Sequence, residues 1–455
     1  MDRPANRVHS GEWTAAIISS LYFFFVLSAY YVVRPVREQF SAEVGSTNLP
    51  WFYAATFVAT LILTPIFAWL SAKFARRYVV PGVYAFFIVC LIGFIPLFNS
   101  VGLITPKELG TVFFVWVSVF NLFVVSVFWT FMSDIWTPEQ ARRLFPMIAL
   151  GGTAGTIVGP ALTRSLVEKV GVAPLLGVSA SLLVCALICI LVLSAWQSRY
   201  ATPQERETHQ KGVGGGMFDG LKQIFRSPFV GGMAILLLLG DAIGTINYAL
   251  VADYTGQTFT EPALRTAFFA NVDLLTNLLV ITCQLFLTRW ILTKWGVVPA
   301  IVIWGGGAAI AMSAVMLARD PHASMFAAQG APILTNTSGL TGMFADLGQF
   351  ITHMPWVVMA LIVSRALAYG ILGPARESLF AAVPRNLRYQ GKNAVDTAVW
   401  RFGDLMISSS MSGMKAFGTT VGQFAGFAAA AGLIAAIVGY RLGKRVESGR
   451  PDSIQ

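Results

Sequence analysis

Long apolar stretches, each about the length of a membrane-crossing helix, recur along most of this 455-residue chain. An α-helix needs roughly 20 predominantly apolar residues to cross a bilayer. Ten such stretches lie at 13–33, 51–70, 79–98, 111–132, 145–163, 174–196, 229–251, 267–291, 297–317 and 421–440. Two further helices are expected around 365–404, the first ending near Phe380 and the second beginning near Lys392. The sequence therefore predicts an all-α polytopic membrane protein with 12 transmembrane helices.

Charge and cysteine placement narrow the class further. The chain is 56% hydrophobic and 12% charged, so a soluble protein of this size would have no way to bury its apolar surface. The net charge of +10 does not indicate nucleic-acid binding, because most of the 32 Lys and Arg fall in loops on the same side of the membrane as the amino terminus. We expect both termini to be cytoplasmic, an uncleaved amino terminus, and a multi-pass protein of the bacterial inner membrane. The four cysteines lie in apolar spans, which predicts neither disulfides nor a metal site.

A polar connection with a glycine run divides the predicted helices into two sets of six. The resulting prediction is an N-terminal six-helix bundle at 1–196, a cytoplasmic linker with an amphipathic stretch at 197–228, and a C-terminal six-helix bundle at 229–455. Within the fifth span, Gly151, Gly155 and Gly159 recur every four residues. This spacing is typical of a seam where two helices pack backbone to backbone.

Charged residues inside the predicted spans mark the candidate site. A charge at the centre of a membrane helix costs roughly 2.5–3.5 kcal/mol, so it needs a partner or water. The segment 365–404 holds seven such residues, and Asp241 and Asp273 lie in the seventh and eighth spans. Arg401 and Asp404 share one helix face with Thr397 and Ser408. Two interpretations stay open: a buried pair that pins two helices together, or a hydrated pathway lined by charges.

The end of the first span is a second candidate region. Arg37 follows Tyr22 and Tyr30 at helical spacing, which is compatible with a polar stripe or with an anchor at the membrane interface. The segment 29–40 also echoes 368–379, matching in Ala, Tyr, Pro, Arg and Glu. Inverted repeats of a transporter leave such an echo.

Several of these stretches resemble known transporters. The loop at 68–77 and the glycine run of the fifth span resemble motifs of the major facilitator superfamily, although Ala68, Ala72 and Ala75 replace residues of the loop signature. More narrowly, VVRPVRE, GPARESLFAAVP and QGKNAVDTAVWRFGD resemble the ATP/ADP translocase family of nucleotide exchangers. The resemblance implies that Arg37, Arg376, Lys392 and Asp396 are functional, the basic ones contacting phosphates. That family usually carries Lys at the position of Asp404. An acid in its place opposes a phosphate contact there.

We therefore expect a secondary active transporter that works by alternating access and moves a small anionic or phosphorylated solute such as a nucleotide. The predicted substrate contacts are Tyr30, Arg37, Arg365, Tyr369, Arg376, Lys392 and Arg401. The predicted coupling or gating residues are Asp241, Asp273, Glu377, Asp396 and Asp404. These groups are expected to converge on a hydrated chamber. We expect a monomer with no cofactor and no nucleic-acid partner.

Two other functions are weighed. A proton-coupled exporter of a neutral or cationic compound would use the same fold, with the acids lining the pathway. An integral-membrane enzyme would need a nucleophile and a base at one depth, and the four histidines, His9, His209, His322 and His353, all lie in termini or loops. The prediction is that the protein is not an enzyme.

Overall fold

A computed structural model describes residues 10–73, 76–99, 105–200, 226–323, 340–381 and 399–447. The first six helices are α1 (Ser10–Val44), α2 (Leu49–Lys73), α3 (Arg76–Asn99), α4 (Pro106–Ile135), α5 (Pro138–Val170) and α6 (Ala173–Tyr200). The others are α7 (Pro228–Thr258), α8 (Pro262–Thr282), α9 (Arg289–Lys294), α10 (Val297–Leu317), α11 (Leu340–Thr352), α12 (Trp356–Leu367), α13 (Gly373–Ala381), α14 (Trp400–Ala416) and α15 (Val421–Glu447). Two π-helical turns, Cys283–Thr288 and Ala368–Leu372, join α8 to α9 and α12 to α13.

Within these ranges, 11 helices are long and apolar enough to cross a membrane. The predicted eleventh span falls at α14, whose 17 described residues form the part of that span within the structure. The all-α polytopic class is thus confirmed. The linker at 201–225 and the segment at 324–339 lie outside the described residues.

The first helix is longer than its apolar stretch. We expected a span at 13–33, but α1 continues through Arg34 and Arg37 to Val44. Apolarity decides what enters the lipid, whereas a helix goes on for as long as its backbone hydrogen bonds and packing support it. Arg37 and Glu38 therefore lie on a continuous helix.

Contacts group the described residues into two compact units. Unit 1 lies within Met1–Arg37 and Val58–Val213, and unit 2 within Glu38–Phe57 and Gly214–Gln455. The end of α1 and the start of α2 thus belong to unit 2. The division into two six-helix halves stays a prediction.

In unit 1, α5 packs on α1 through the glycine seam. A Cβ at Gly151 would overlap the carbonyl oxygen of Ser20, and one at Gly155 would lie 2.5 Å from the carbonyl oxygen of Phe24. At Gly159 the nearest α1 carbonyl, that of Ser28, would be 2.8 Å away. Side chains at these positions would push the helices apart, which confirms the predicted seam.

In unit 2, α10 and α15 pack in the same manner. A Cβ at Gly305 would lie 2.7 Å from the carbonyl oxygen of Gly432, and a Cβ at Gly432 would lie 2.8 Å from that of Gly305. Beside this pair, Trp304 is among the largest fully buried side chains. The backbones of α10 and α15 are therefore in direct contact at this point.

The two π-turns of unit 2 lie side by side. The hydroxyl of Thr288 donates to the carbonyl oxygen of Gly370 at 2.6 Å, and the side-chain amide of Gln284 donates to that of Tyr369 at 3.3 Å. Each turn adds a residue to the helical repeat, so the helix faces on its two sides are out of register. Arg365 precedes the second turn and Arg376 follows it.

Candidate functional site

Arg365 on α12 contacts side chains of two other helices of unit 2. Its guanidinium Nη1 lies 3.9 Å from Oδ1 of Asp273 on α8, and its Cζ lies 5.6 Å from the ring centroid of Tyr248 on α7. The side chains of Arg365 and Asp273 are 15% and 3% exposed. A buried charge is costly unless it is paired. Helices α7, α8 and α12 are therefore joined by one guanidinium.

The backbone around Arg365 is held in place by its neighbour. Asn247 donates from Nδ2 to the hydroxyl of Ser364 at 3.0 Å, and both residues are buried. Because Asn247 precedes Tyr248 and Ser364 precedes Arg365, this bond sets the depth of α12 against α7. The position of the guanidinium is thus fixed from the backbone side as well.

A second polar cluster joins α7 to α14. Arg401 Nη1 lies 3.6 Å from Oδ2 of Asp404 within α14, and the hydroxyl of Thr245 donates to Oδ1 of Asp404 at 3.3 Å. Gly403 is closely approached by Asp241, because a Cβ there would overlap Oδ2 of that carboxyl. Asp241 and Asp404 therefore share one helix contact with Arg401.

Arg376 and Glu377 lie on α13, directly after the second π-turn. Arg376 Nη2 lies 3.7 Å from Oε1 of Glu377, with side-chain exposures of 17% and 52%. Tyr369 lies within the turn and is 45% exposed. These three predicted site residues are thus placed along α13 and the turn before it. Lys392 and Asp396 lie outside the described residues.

The predicted residues of unit 1 lie on α1 and face α4. Arg37 donates from Nη1 to the hydroxyl of Ser118 at 3.3 Å, and its Cζ lies 4.9 Å from the ring centroid of Phe114. Tyr30 is 7% exposed and packs against Phe120, with 6.4 Å between ring centroids. Tyr30 thus contributes to the aromatic core of unit 1, and its predicted contact with substrate stays a prediction.

Three polar residues of unit 2 were not predicted as a group. Asp253 on α7 accepts from the backbone N–H and the hydroxyl of Ser46, each at 2.7 Å, and pairs with Lys415 Nζ at 2.7 Å. Lys415 also donates to the Ser46 hydroxyl at 2.9 Å. Their separations of 207 and 162 residues leave no local pattern from which the contact might be deduced.

The resemblance to carriers extends over most of the chain. Residues 111–438 match the family described as TLC ATP/ADP transporter. The chain is 24% identical over 422 residues to the ADP,ATP carrier protein 1, chloroplastic, of Arabidopsis thaliana, which covers 83% of this chain and 64% of that protein. It is also 24% identical over 332 residues to the ADP,ATP carrier protein 1 of Chlamydia trachomatis serovar D, covering 67% and 58%. The chain spans less than two thirds of the length of either relative.

Solved transporters share the architecture at lower identity. A peptide transporter POT aligns with a TM-score of 0.62 at 12% identity, covering 99% of this chain and 97% of that one. The nucleoside transporter NupG aligns with a TM-score of 0.58 at 12% identity, covering 95% and 99%. At such identities the likeness concerns the fold alone.

Proposed function

Because this chain belongs to the TLC ATP/ADP transporter family and has the major facilitator fold, we propose that it moves nucleotides across a membrane by alternating access. The two curated relatives named above are ADP,ATP carriers, so ATP and ADP are the substrates to test first. Transport needs no covalent step, and we propose no enzymatic activity. We further propose the bacterial inner membrane as the location, with both termini cytoplasmic and a monomer as the working form.

The observation that carries the proposal is the loose ion pair of Arg365. Its 3.9 Å separation from Asp273 is longer than the roughly 2.7–2.9 Å of a tight charge-assisted hydrogen bond. A planar guanidinium offers paired donors that suit a phosphate, and Lys lacks this fork. A phosphate group can therefore take over the guanidinium from Asp273, which returns to Arg365 when the substrate leaves.

The unusual acid at Asp404 is compatible with this proposal. Asp404 is 8% exposed, and its carboxylate contacts the Thr245 hydroxyl and the Arg401 guanidinium. These contacts support a role in joining α7 to α14 rather than in meeting phosphate. We propose that Asp241 and Asp404 belong to the coupling or gating apparatus, together with Asp273, Glu377 and Asp396.

The remaining predicted contacts complete the proposal. Arg376, Lys392 and Arg401 add positive charge to the phosphate contacts, and Tyr369 offers an aromatic face for a base. Tyr30 and Arg37 are proposed substrate contacts on α1. Each of these assignments is open to the same exchange measurement as Arg365.

Exchange in proteoliposomes tests the function directly. Vesicles loaded with ADP are offered labelled ATP, and initial uptake is compared for the wild type, Arg365→Ala and Arg289→Ala. Arg289 is exposed on α9 and serves as the matched control. Since the truncation removes a charge-assisted phosphate contact of about 1.5–3 kcal/mol, we expect at least a tenfold loss for Arg365→Ala only. Absence of nucleotide flux from correctly folded wild type contradicts the proposal.

A further inference from the structure

Tyr248 of α7 lies between a proposed phosphate contact and the end of α1. We propose that Tyr248 is a positioning residue: its ring orients the Arg365 guanidinium, and its hydroxyl connects that guanidinium to Glu38. The inference rests on the proposed nucleotide transport, which it deepens by naming how binding at Arg365 reaches α1.

The ring is a fixed surface for the guanidinium. The Arg365 Cζ is 5.6 Å from the ring centroid, within the distance at which a cation is attracted to an aromatic face. Tyr248 is only 5% exposed, so water competes little with this contact. With Asp273 at 3.9 Å from the same guanidinium, the ring and the carboxylate together restrict its position. Exchanging the carboxylate for a phosphate leaves the ring contact in place.

The hydroxyl is bound to α1. It donates to Oε2 of Glu38 and lies 2.5 Å from the hydroxyl of Ser41, and these two residues are 1% and 0% exposed. A buried carboxylate relies on the donors around it, so the Tyr248 hydroxyl and Glu38 move together. Residues 38–44 form the last part of α1. A shift of the Arg365 guanidinium toward a phosphate therefore acts on α1 through the Tyr248 side chain.

In this arrangement the ring and the hydroxyl of Tyr248 have separate effects, one on anion affinity and one on the conformational step. The ring contributes to the affinity for the anion, because it holds the guanidinium ready. The hydroxyl contributes to the conformational step, because it transmits the guanidinium position to Glu38. A residue that only filled space would change the stability of the fold without dividing affinity from turnover.

The first test measures ADP binding and the rate of ADP/ATP exchange for four variants. Tyr248→Phe and Glu38→Ala keep the ring and remove the bond between Tyr248 and residue 38, so we expect unchanged ADP affinity and about tenfold slower exchange. Tyr248→Leu removes the ring, so ADP affinity should also fall about tenfold, the size of a partly desolvated cation–π contact. Tyr254→Phe is the control, a buried tyrosine on the same helix that packs against Phe268. Equal exchange rates for Tyr248→Phe and Tyr254→Phe overturn the inference.

A second measurement does not depend on transport. The midpoints of thermal unfolding in detergent are compared for Arg365→Gln, Tyr248→Leu and the double variant. Contacting residues give non-additive shifts, so the double variant should lose less than the sum of the single losses. Additive shifts overturn the inference. If the wild type moves no nucleotide but the cycle is non-additive, the proposed function fails while the link between Tyr248 and Arg365 stands.

Discussion

At Arg365, a cation at the end of an apolar helix has two different partners, a carboxylate 3.9 Å away and an aromatic ring 5.6 Å away. Neither partner stabilises the guanidinium charge as well as water does, because the ion pair is long and the ring carries no net charge. The guanidinium is thus held in the fold by these two contacts, and the proposed binding of an anion requires it to leave one of them. This balance is what a transporter needs, since a substrate must leave as readily as it arrives.

Asp273→Asn tests the competition at Arg365. Because the amide no longer competes with phosphate for the guanidinium, we expect ADP to bind about tenfold more tightly and, through slower release, to be exchanged more slowly. Isothermal titration and proteoliposome exchange measure the two effects. Asp320→Asn, which changes an exposed acid, is the control. Weaker ADP binding by Asp273→Asn would show that Asp273 supports the substrate instead of competing with it.

At the scale of helices, glycines decide which elements lie close together and π-turns decide which faces meet. The α1–α5 contact in unit 1 depends on three glycines, and the α10–α15 contact in unit 2 depends on Gly305 and Gly432. In a membrane there is little hydrophobic force between helices, so close backbone packing is a main source of their association. The second π-turn then rotates Arg376 relative to Arg365 along one continuous helical path.

Gly151→Ala should destabilise the fold although alanine is the better helix former. The new methyl group would overlap the carbonyl oxygen of Ser20, and such overpacking costs about 1–3 kcal/mol. Gly93→Ala is the matched control, because a Cβ there meets nothing within 4 Å. That control should gain up to about 1 kcal/mol from helix propensity. Thermal unfolding in detergent compares them, and equal midpoints would argue against a tight α1–α5 seam.

At the scale of the whole molecule, the fold is retained where the sequence has diverged. Solved transporters with 12–13% identity align over 94–99% of this chain, whereas the curated carriers share 22–25% identity with it. Long-range polar contacts complete this fold. In unit 2, Asp253 holds the short connection between α1 and α2 to α7 and to the end of α14.

Asp253→Ala tests the contribution of this contact to unit 2. Three donors lose their acceptor, so the expected loss of stability is about 1–3 kcal/mol. The Lys415 side chain is 38% exposed, so its ion pair with Asp253 adds only a small part of that loss. Asp253→Asn removes the charge and one of the two acceptor oxygens but keeps the other, so its loss should be smaller and should shrink as salt is added. Glu261→Ala, at an exposed acid without a side-chain cap bond, is the control for thermal unfolding. A salt-independent loss would contradict a role for the ion pair.

The sequence by itself determined the class, the family and most of the helices. Whether a stretch enters the lipid depends on its own apolarity, and the glycine seam depends on a spacing within one helix. Both can therefore be predicted from a local stretch of sequence. The motifs around Arg37 and Arg376 likewise indicated the carrier family. The predicted first span ended at residue 33, whereas α1 ends at Val44, because a helix can continue beyond its apolar residues.

Only the tertiary structure decided which charges meet. Arg365 pairs with Asp273 and Tyr248 contacts Glu38, although 210 residues separate the latter two. Such pairings depend on the packing, depth and rotation of helices, which glycine contacts and π-turns set and which no single segment encodes. The sequence marked Arg365 and Asp273 as charges in need of partners, and the fold chose those partners.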